Sequence, residues 1–369
     1  MSAWKRVVSA SARVAALGVL LVSPGAAACG ALGGSGSVPQ ATGPADQGTS
    51  LVPRSVGGGD VYGDAYDLAG MAGRKLLHTE PIAWTGLTGA SNDSVHSSAR
   101  EIASQAKKRG MELVLGVLPV VGSNRDQIAL PSSYIGPATF ANPDVRQAFL
   151  DEVEWFVREI KPAYFSLATE IQGYAAAHPD DYLAFASLAQ EAYDQVKSIR
   201  PSTQVFVYFQ YESVYRDFAG GPAAAASNLA GLLAPFEPKL DLVGLSSYPA
   251  LLGSLIGSTA ALPDDYYSRI SSVLDHPLIF AELGYPSGNS LIFLPGSEGD
   301  QASFVSRFRA LVAGLPVDTS IWSFLHDPDL STLPSGSLSQ PQAAFFESCG
   351  LRHTDGTEKP SWSAWLAGG

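Results

Sequence analysis

The sequence predicts an α/β protein, a single (β/α)8 TIM barrel preceded by a signal peptide and a flexible linker. Two observations carry this. From about residue 60 onward, short apolar runs rich in β-branched and aromatic residues alternate with longer amphipathic segments, the pattern of buried parallel strands wound by right-handed helical crossovers. Seven or eight such units follow one another with no G-x-G-x-x-G between a strand and a helix. That favours a closed barrel over an open dinucleotide-binding sheet.

The chain begins differently. Lys5, Arg6 and Arg13 precede an apolar stretch, Val14–Val22, and then Ala26, Ala27, Ala28 and Cys29. A basic start, a short apolar region and small residues are the marks of an export signal, too short to span a bilayer by itself. The Ala-Cys-Gly end resembles the lipobox of bacterial lipoproteins, which implies a lipid on Cys29 after removal of residues 1–29. Ordinary cleavage after Ala28 and an uncleaved anchor are the alternatives. Either of the first two implies export, to the outer face of a bacterial membrane or into the medium. Residues 30–59 are rich in Gly, Ser, Pro and Ala and read as a tether, leaving residues 60–369 for the barrel.

Within the barrel, strands are expected at Lys75–His78 and onward, Glu112–Val117, Tyr164–Leu167, Gln204–Tyr208, Leu240–Gly244, Leu278–Ala281 and Ser320–Phe324, with an eighth near Leu51–Val56. A helix over Val95–Arg109 ends on Lys107, Lys108 and Arg109 before Gly110, a cationic last turn and a glycine stop. Asn142-Pro143-Asp144 opens a second helix running to Glu159, and Pro179-Asp180-Asp181 a third ending near Arg200.

Composition narrows the function. With 46% hydrophobic and 16% charged residues the chain has material for one large core, and a net charge of −12 opposes nucleic-acid binding. Cys29 and Cys349 are the only cysteines. No disulfide framework, metal-ligand spacing or calcium loop is present, and no cofactor is required. If Cys29 carries lipid, Cys349 is a buried thiol without a partner.

Barrel enzymes carry their chemistry at the C-terminal ends of strands. Two glutamates directly follow apolar runs there: Glu170 after the fourth strand and Glu282 after the seventh. One acid held protonated by burial and one held ionised can divide acid and nucleophile work. Alternatively, an acid in this position caps the next helix or pairs with an arginine.

The run Leu278–Ser287 (Leu-Ile-Phe-Ala-Glu-Leu-Gly-Tyr-Pro-Ser) resembles the nucleophile strand of clan A glycoside hydrolases, and Ala163–Tyr174 resembles the acid/base strand. Asp241–Pro249 is similar to the sixth strand, Ile321-Trp322 to the eighth, and Gly350–Trp362 to the closing segment. The nearest resemblance is to bacterial relatives of the arabinogalactan endo-β-1,4-galactanases, glycoside hydrolase family 53. It implies a retaining, endo-acting hydrolase on a β-linked carbohydrate, with Glu282 as nucleophile and Glu170 as acid/base. Tyr248 would hold Glu282, and Trp322 would floor a sugar subsite. One departure stands out: Thr169 occupies the position where the clan usually has an asparagine that binds the sugar 2-hydroxyl. A hydroxyl lacks the amide's paired groups, so a non-catalytic carbohydrate-binding lipoprotein on the same barrel is the alternative function.

Further candidates for substrate contact are Trp84 after the second strand, Gln210 at the end of the fifth and Tyr174 beyond Glu170. Trp84 and Trp322 either stack on sugar or fill the core. Glu212 is either a third pocket acid or the partner of a base, and His78 and Glu80 are placed to reach the mouth. Asp327 reads as a turn residue, and Tyr266-Tyr267 as packing on outer helices. The expected partner is carbohydrate alone, and the expected state is a monomer.

Overall fold

In a computed structural model, the structure describes residues 39–42, 46–52, 54, 62, 64–88, 93–122, 124–217, 220–255, 258–288, 296–332 and 345–368. The export signal, Cys29 and most of the tether lie outside these residues. Eight parallel strands close into a barrel: β1 (Gln47–Ser50), β2 (Lys75–Pro81), β3 (Glu112–Leu118), β4 (Tyr164–Thr169), β5 (Gln204–Gln210), β6 (Leu242–Ser247), β7 (Leu278–Leu283) and β8 (Val317–Trp322). Each pairs with its sequence neighbours, and β1 pairs with β8 through Gln47↔Ser320, Gly48↔Ile321 and Thr49↔Trp322.

Seven strands fall where the apolar runs predicted them, with β6 and β8 shifted by two or three residues. The eighth does not. It lies at Gln47–Ser50, within the stretch read as tether and just before the expected Leu51–Val56. Its sequence, Gln-Gly-Thr-Ser, carries no apolar signature. Gly48 is required by contact: a Cβ there would lie 1.9 Å from the Lys75 carbonyl oxygen. The barrel therefore begins before residue 60, and the chain upstream of β1 also docks, Ala41 N donating to Arg109 O and Thr42 N to Gly70 O.

Alternation along the strands splits the core in two. Leu77, Val114, Phe206, Tyr208, Leu242, Ile279, Ala281 and Ile321 fill the barrel interior, and the opposite faces pack on the helices. Those helices include α1 (Ala65–Ala72), α2 (Asp93–Lys108), α3 (Pro143–Trp155), α4 (Pro179–Ile199), α5 (Ala225–Leu233), α6 (Glu298–Val312) and α7 (Pro360–Leu366). Asn142 caps α3 by accepting from Asp144 N, with Pro143 at the first position. The helix then widens into a π turn over Phe156–Ile160 and stops at Lys161 in the left-handed conformation. After β3 the chain makes one excursion, a two-stranded antiparallel ribbon of Val120–Val121 and Asn124–Ile128 outside the barrel sheet.

Candidate active site

Glu282 is the penultimate residue of β7, next to Ser246 of β6 in register. A register irregularity between Leu245 and Ser246 lets it face inward, since Ala281 beside it is also an interior residue. Two phenols grip its carboxylate. Tyr208 Oη, from the middle of β5, donates to Oε1 at 2.9 Å. Tyr248 Oη, just past β6, donates to Oε2 at 2.7 Å. Ser323 Oγ lies 2.7 Å from the Tyr248 oxygen and supplies the hydrogen there, because a phenol has only one. A narrow cleft lined by Ser50, Leu51, Val52, His78, Thr79, Ser323 and Phe324 opens onto Glu282, which is 8% exposed.

Glu170 follows β4 directly, with its backbone in the left-handed region at φ 50°. A glutamate held there costs on the order of 1 kcal/mol, a strain found where a side chain must be aimed. Its N–H donates to Tyr208 O, and its carboxylate accepts from Ser246 Oγ and from Arg125 Nη2 at 3.3 Å. Arg125 enters from the ribbon and also donates to Thr169 O at 3.2 Å. Glu170 and Arg125 are 0% and 1% exposed, so the acid is covered.

Both carboxyls titrate above the ordinary range. For Glu170 burial is the main cause and the Glu282 charge the second, opposed by Arg125 and Ser246. For Glu282 burial raises it while Tyr248, Tyr208 and Arg125 pull it back. The two carboxyls repel each other, and each is met by its own donors, the phenols of Tyr208 and Tyr248 on Glu282 and the Ser246 hydroxyl with the Arg125 guanidinium on Glu170. The two acids thus sit in unequal surroundings.

Glu212 lies behind this pair. It is fully buried and meets four donors: Ser247 Oγ at 2.6 Å, Tyr266 Oη at 3.0 Å, Gln210 Nε2 at 2.7 Å and Tyr248 N at 2.8 Å. Burial raises its titration, and the Ser247, Tyr248 N and Tyr266 donors oppose that. It is neither an open pocket acid nor the partner of a base; it fixes the end of β6 and hence Tyr248. The Tyr266-Tyr267 rings pack on Tyr211, Phe280 and the α6 residue Phe308. Their hydroxyls reach inward, to Glu212 and to Ser247.

Several expected contacts lie elsewhere. Trp322 points outward, because Ile321 takes the interior position. Its indole packs on Trp365 and Phe304 and donates to Cys349 O at 2.9 Å, so it floors no pocket, and Ser323 faces the cleft in its place. Tyr174 packs edge-on against Phe140 and donates to Asp181 at 2.5 Å. Gln210 serves Glu212 and accepts from Ser213 N at 2.6 Å. Trp84 is buried in the outer core at φ 51°. Thr169 is buried, its hydroxyl donating to Val117 O at 3.3 Å and meeting the Tyr208 phenol. His78 Nε2 and Glu80 Oε1 are bonded to each other at 2.8 Å. Asp327, read as a turn residue, is buried and accepts from the buried Lys359 ammonium at 2.6 Å. Cys349 is buried as a thiol. Among the described residues, no group of three or more His, Cys, Asp or Glu side chains could hold a metal ion.

Tyr208, Ser246 and Arg125 were not singled out by sequence. Parity could have found the first, since Phe206, Tyr208 and Gln210 share one face of β5.

No family model matches the chain, and no curated protein matches its sequence. Among solved structures it is similar to an exo-β-1,4-mannosidase from Opitutaceae bacterium strain TAV5, at 12% identity and TM-score 0.64, over 91% of this chain and 61% of that one. It thus spans less than two thirds of the mannosidase. It is also similar to a fungal β-1,4-galactanase, at 16% identity and TM-score 0.58, over 82% of this chain and 90% of that one. A third similar structure is the glycoside hydrolase family 53 catalytic domain of Ignisphaera aggregans, at 14% identity and TM-score 0.59, over 82% and 87%. At these identities the likeness is one of fold.

Proposed function

We propose that the chain is a retaining glycoside hydrolase of the clan A kind, acting on a β-linked carbohydrate. The observation that carries this is the unequal environment of two carboxyls at the barrel mouth. Glu282 lies between two phenol donors and Glu170 is buried against its charge. The names of the similar barrels, two of them acting on β-1,4-linked sugars, support the same substrate class.

In this reading Glu282 attacks the anomeric carbon, and Glu170 gives its proton to the departing glycosidic oxygen. Glu170 then takes a proton from water as that water displaces Glu282, so the configuration is retained. The phenols of Tyr208 and Tyr248 keep the nucleophile ionised and fix its direction. Thr169 is buried, donates its hydroxyl to Val117 O and lies beside Tyr208, so it supports the residue that holds Glu282. The N-terminal segment ending in Cys29 supports an exported, lipid-tethered location, which metabolic palmitate labelling of wild type and Cys29→Ala checks.

The test is hydrolysis of a panel of β-linked polysaccharides and aryl β-glycosides by wild type, Glu282→Ala and Glu170→Ala. Wild type should cleave at least one substrate with the β-anomer as first product, and both variants should lose about 10³-fold or more. Binding without cleavage by wild type would move the chain to the non-catalytic carbohydrate-binding reading.

A further inference from the structure

The ribbon after β3 has no part in closing the barrel, yet it delivers one buried cation to the acids. Within Asn124–Ile128, Arg125 is 1% exposed and Ile128 is buried in the core, while Asn124 and Asp126 are half-buried and Gln127 is exposed. The ribbon is paired through Val120↔Ile128 and Val121↔Asn124, with an irregularity between them, and Ala129 N donates to Pro119 O at its base. It has two hooks. Inward, Arg125 holds Thr169 O and the Glu170 carboxylate. Outward, Asp126 O accepts from the exposed His178 ring nitrogen at 2.8 Å.

An acid that must protonate a glycosidic oxygen has to touch it, within hydrogen-bond reach. With Arg125 in place, Glu170 touches no solvent. We propose that Arg125 is a positioning residue that masks Glu170 in the free protein and withdraws with its ribbon when carbohydrate enters the mouth. Sugar hydroxyls are acceptors for the guanidinium as it leaves. The groups facing Glu170 are Glu282 on β7, Glu212 past β5, Tyr208 on β5, Tyr248 and Ser246 from β6, and Arg125. Arg125 is the one cation among them. As it leaves, the cation that favours the ionised form of Glu170 is withdrawn, so this carboxyl holds its proton more firmly while the Tyr208 and Tyr248 donors remain on Glu282. The proton step rests on the acid/base reading of Glu170; the masking does not.

The experiment needs no turnover. Wild type, Arg125→Gln and Arg125→Lys are treated with a water-soluble carbodiimide and an amine, and labelling of the Glu170 and Glu282 peptides is followed by mass spectrometry. In parallel, carboxyl-13C glutamate spectra are recorded across pH, with Glu170→Gln assigning the resonance. Glu170 should label about tenfold faster or more in Arg125→Gln than in wild type, with its midpoint raised by about one unit. Arg125→Lys keeps the charge with a single-pronged head. It should label faster than wild type with its midpoint near the wild-type value, and it carries the test if the glutamine variant does not fold. Equal Glu170 labelling in wild type and variants, or an unmoved midpoint in Arg125→Gln, overturns the proposal. Wild type inert on every glycan would count against the hydrolase reading and leave these two measurements unaffected.

Discussion

Removing the two phenols on Glu282 one at a time should move its titration by a calculable amount. Tyr248 donates across 2.7 Å and Tyr208 across 2.9 Å, each to its own oxygen and both from fully buried rings. A hydrogen bond to a charged group contributes about 1.5–3 kcal/mol, and about 1.36 kcal/mol corresponds to one pKa unit. Tyr208→Phe or Tyr248→Phe should therefore raise the Glu282 midpoint by about one to two units. Tyr248→Phe should sit at the upper end, since its bond is shorter and Ser323 also loses its acceptor. The sign follows from charge: with a donor gone the ionised form is less favoured, so the Glu282 carboxylate, the nucleophile in the proposed mechanism, is lost at a higher pH. The acid limb of kcat/KM on an aryl β-glycoside should move up by the same amount, while the alkaline limb, set by Glu170, moves less. An acid limb within about 0.3 unit of wild type in both single variants would refute the assignment of the phenols, and with it the reason for calling Glu282 the ionised member.

Three further outcomes are expected. Burial and the Arg54 guanidinium push His326 down to about 4, below its unfolded value, so the stability it contributes is complete above about pH 6.5 and is lost as pH falls toward 4. Urea midpoints should show that loss, of about 3 kcal/mol, in wild type and not in His326→Gln. Lys359→Met leaves Asp327 a buried, uncompensated charge and should cost about 3–5 kcal/mol in urea unfolding. Gly284→Ala would place a Cβ 2.5 Å from Tyr248 Cε1. The ring must then shift off Glu282, with a loss of about 1–3 kcal/mol in stability and about tenfold or more in kcat/KM.

Much of the barrel was legible because its strands are buried on both faces and so announce themselves as apolar runs. β1 escaped for the converse reason: Gln47, Thr49 and Ser50 are held by neighbours rather than by burial of their own apolar surface. The placement of Glu170 and Glu282 at strand ends was legible because strand ends are positions that sequence marks directly. Arg125 was not, because it reaches Glu170 from 45 residues away, through a ribbon with no pattern of its own. Trp322 shows a different failure. Resemblance placed an aromatic residue in the right strand, but inward and outward faces differ by one residue, and Ile321 took the interior. Gln210 and Tyr174 were read as cleft residues from proximity along the chain, whereas Glu212 and Asp181 claim their polar ends.

The pairing of β1 with β8 has a consequence in time. Gln47–Thr49 and Ser320–Trp322 stand at opposite ends of the barrel sequence, so during synthesis the sheet keeps two unpaired edges until nearly all of it exists. The donors to Glu282 lie 74 and 34 residues ahead of it, ready before the carboxylate they serve. Such long-range closure makes refolding slow. The ring and the site should be completed in one late step, so near-ultraviolet ellipticity and activity should return with a single rate constant.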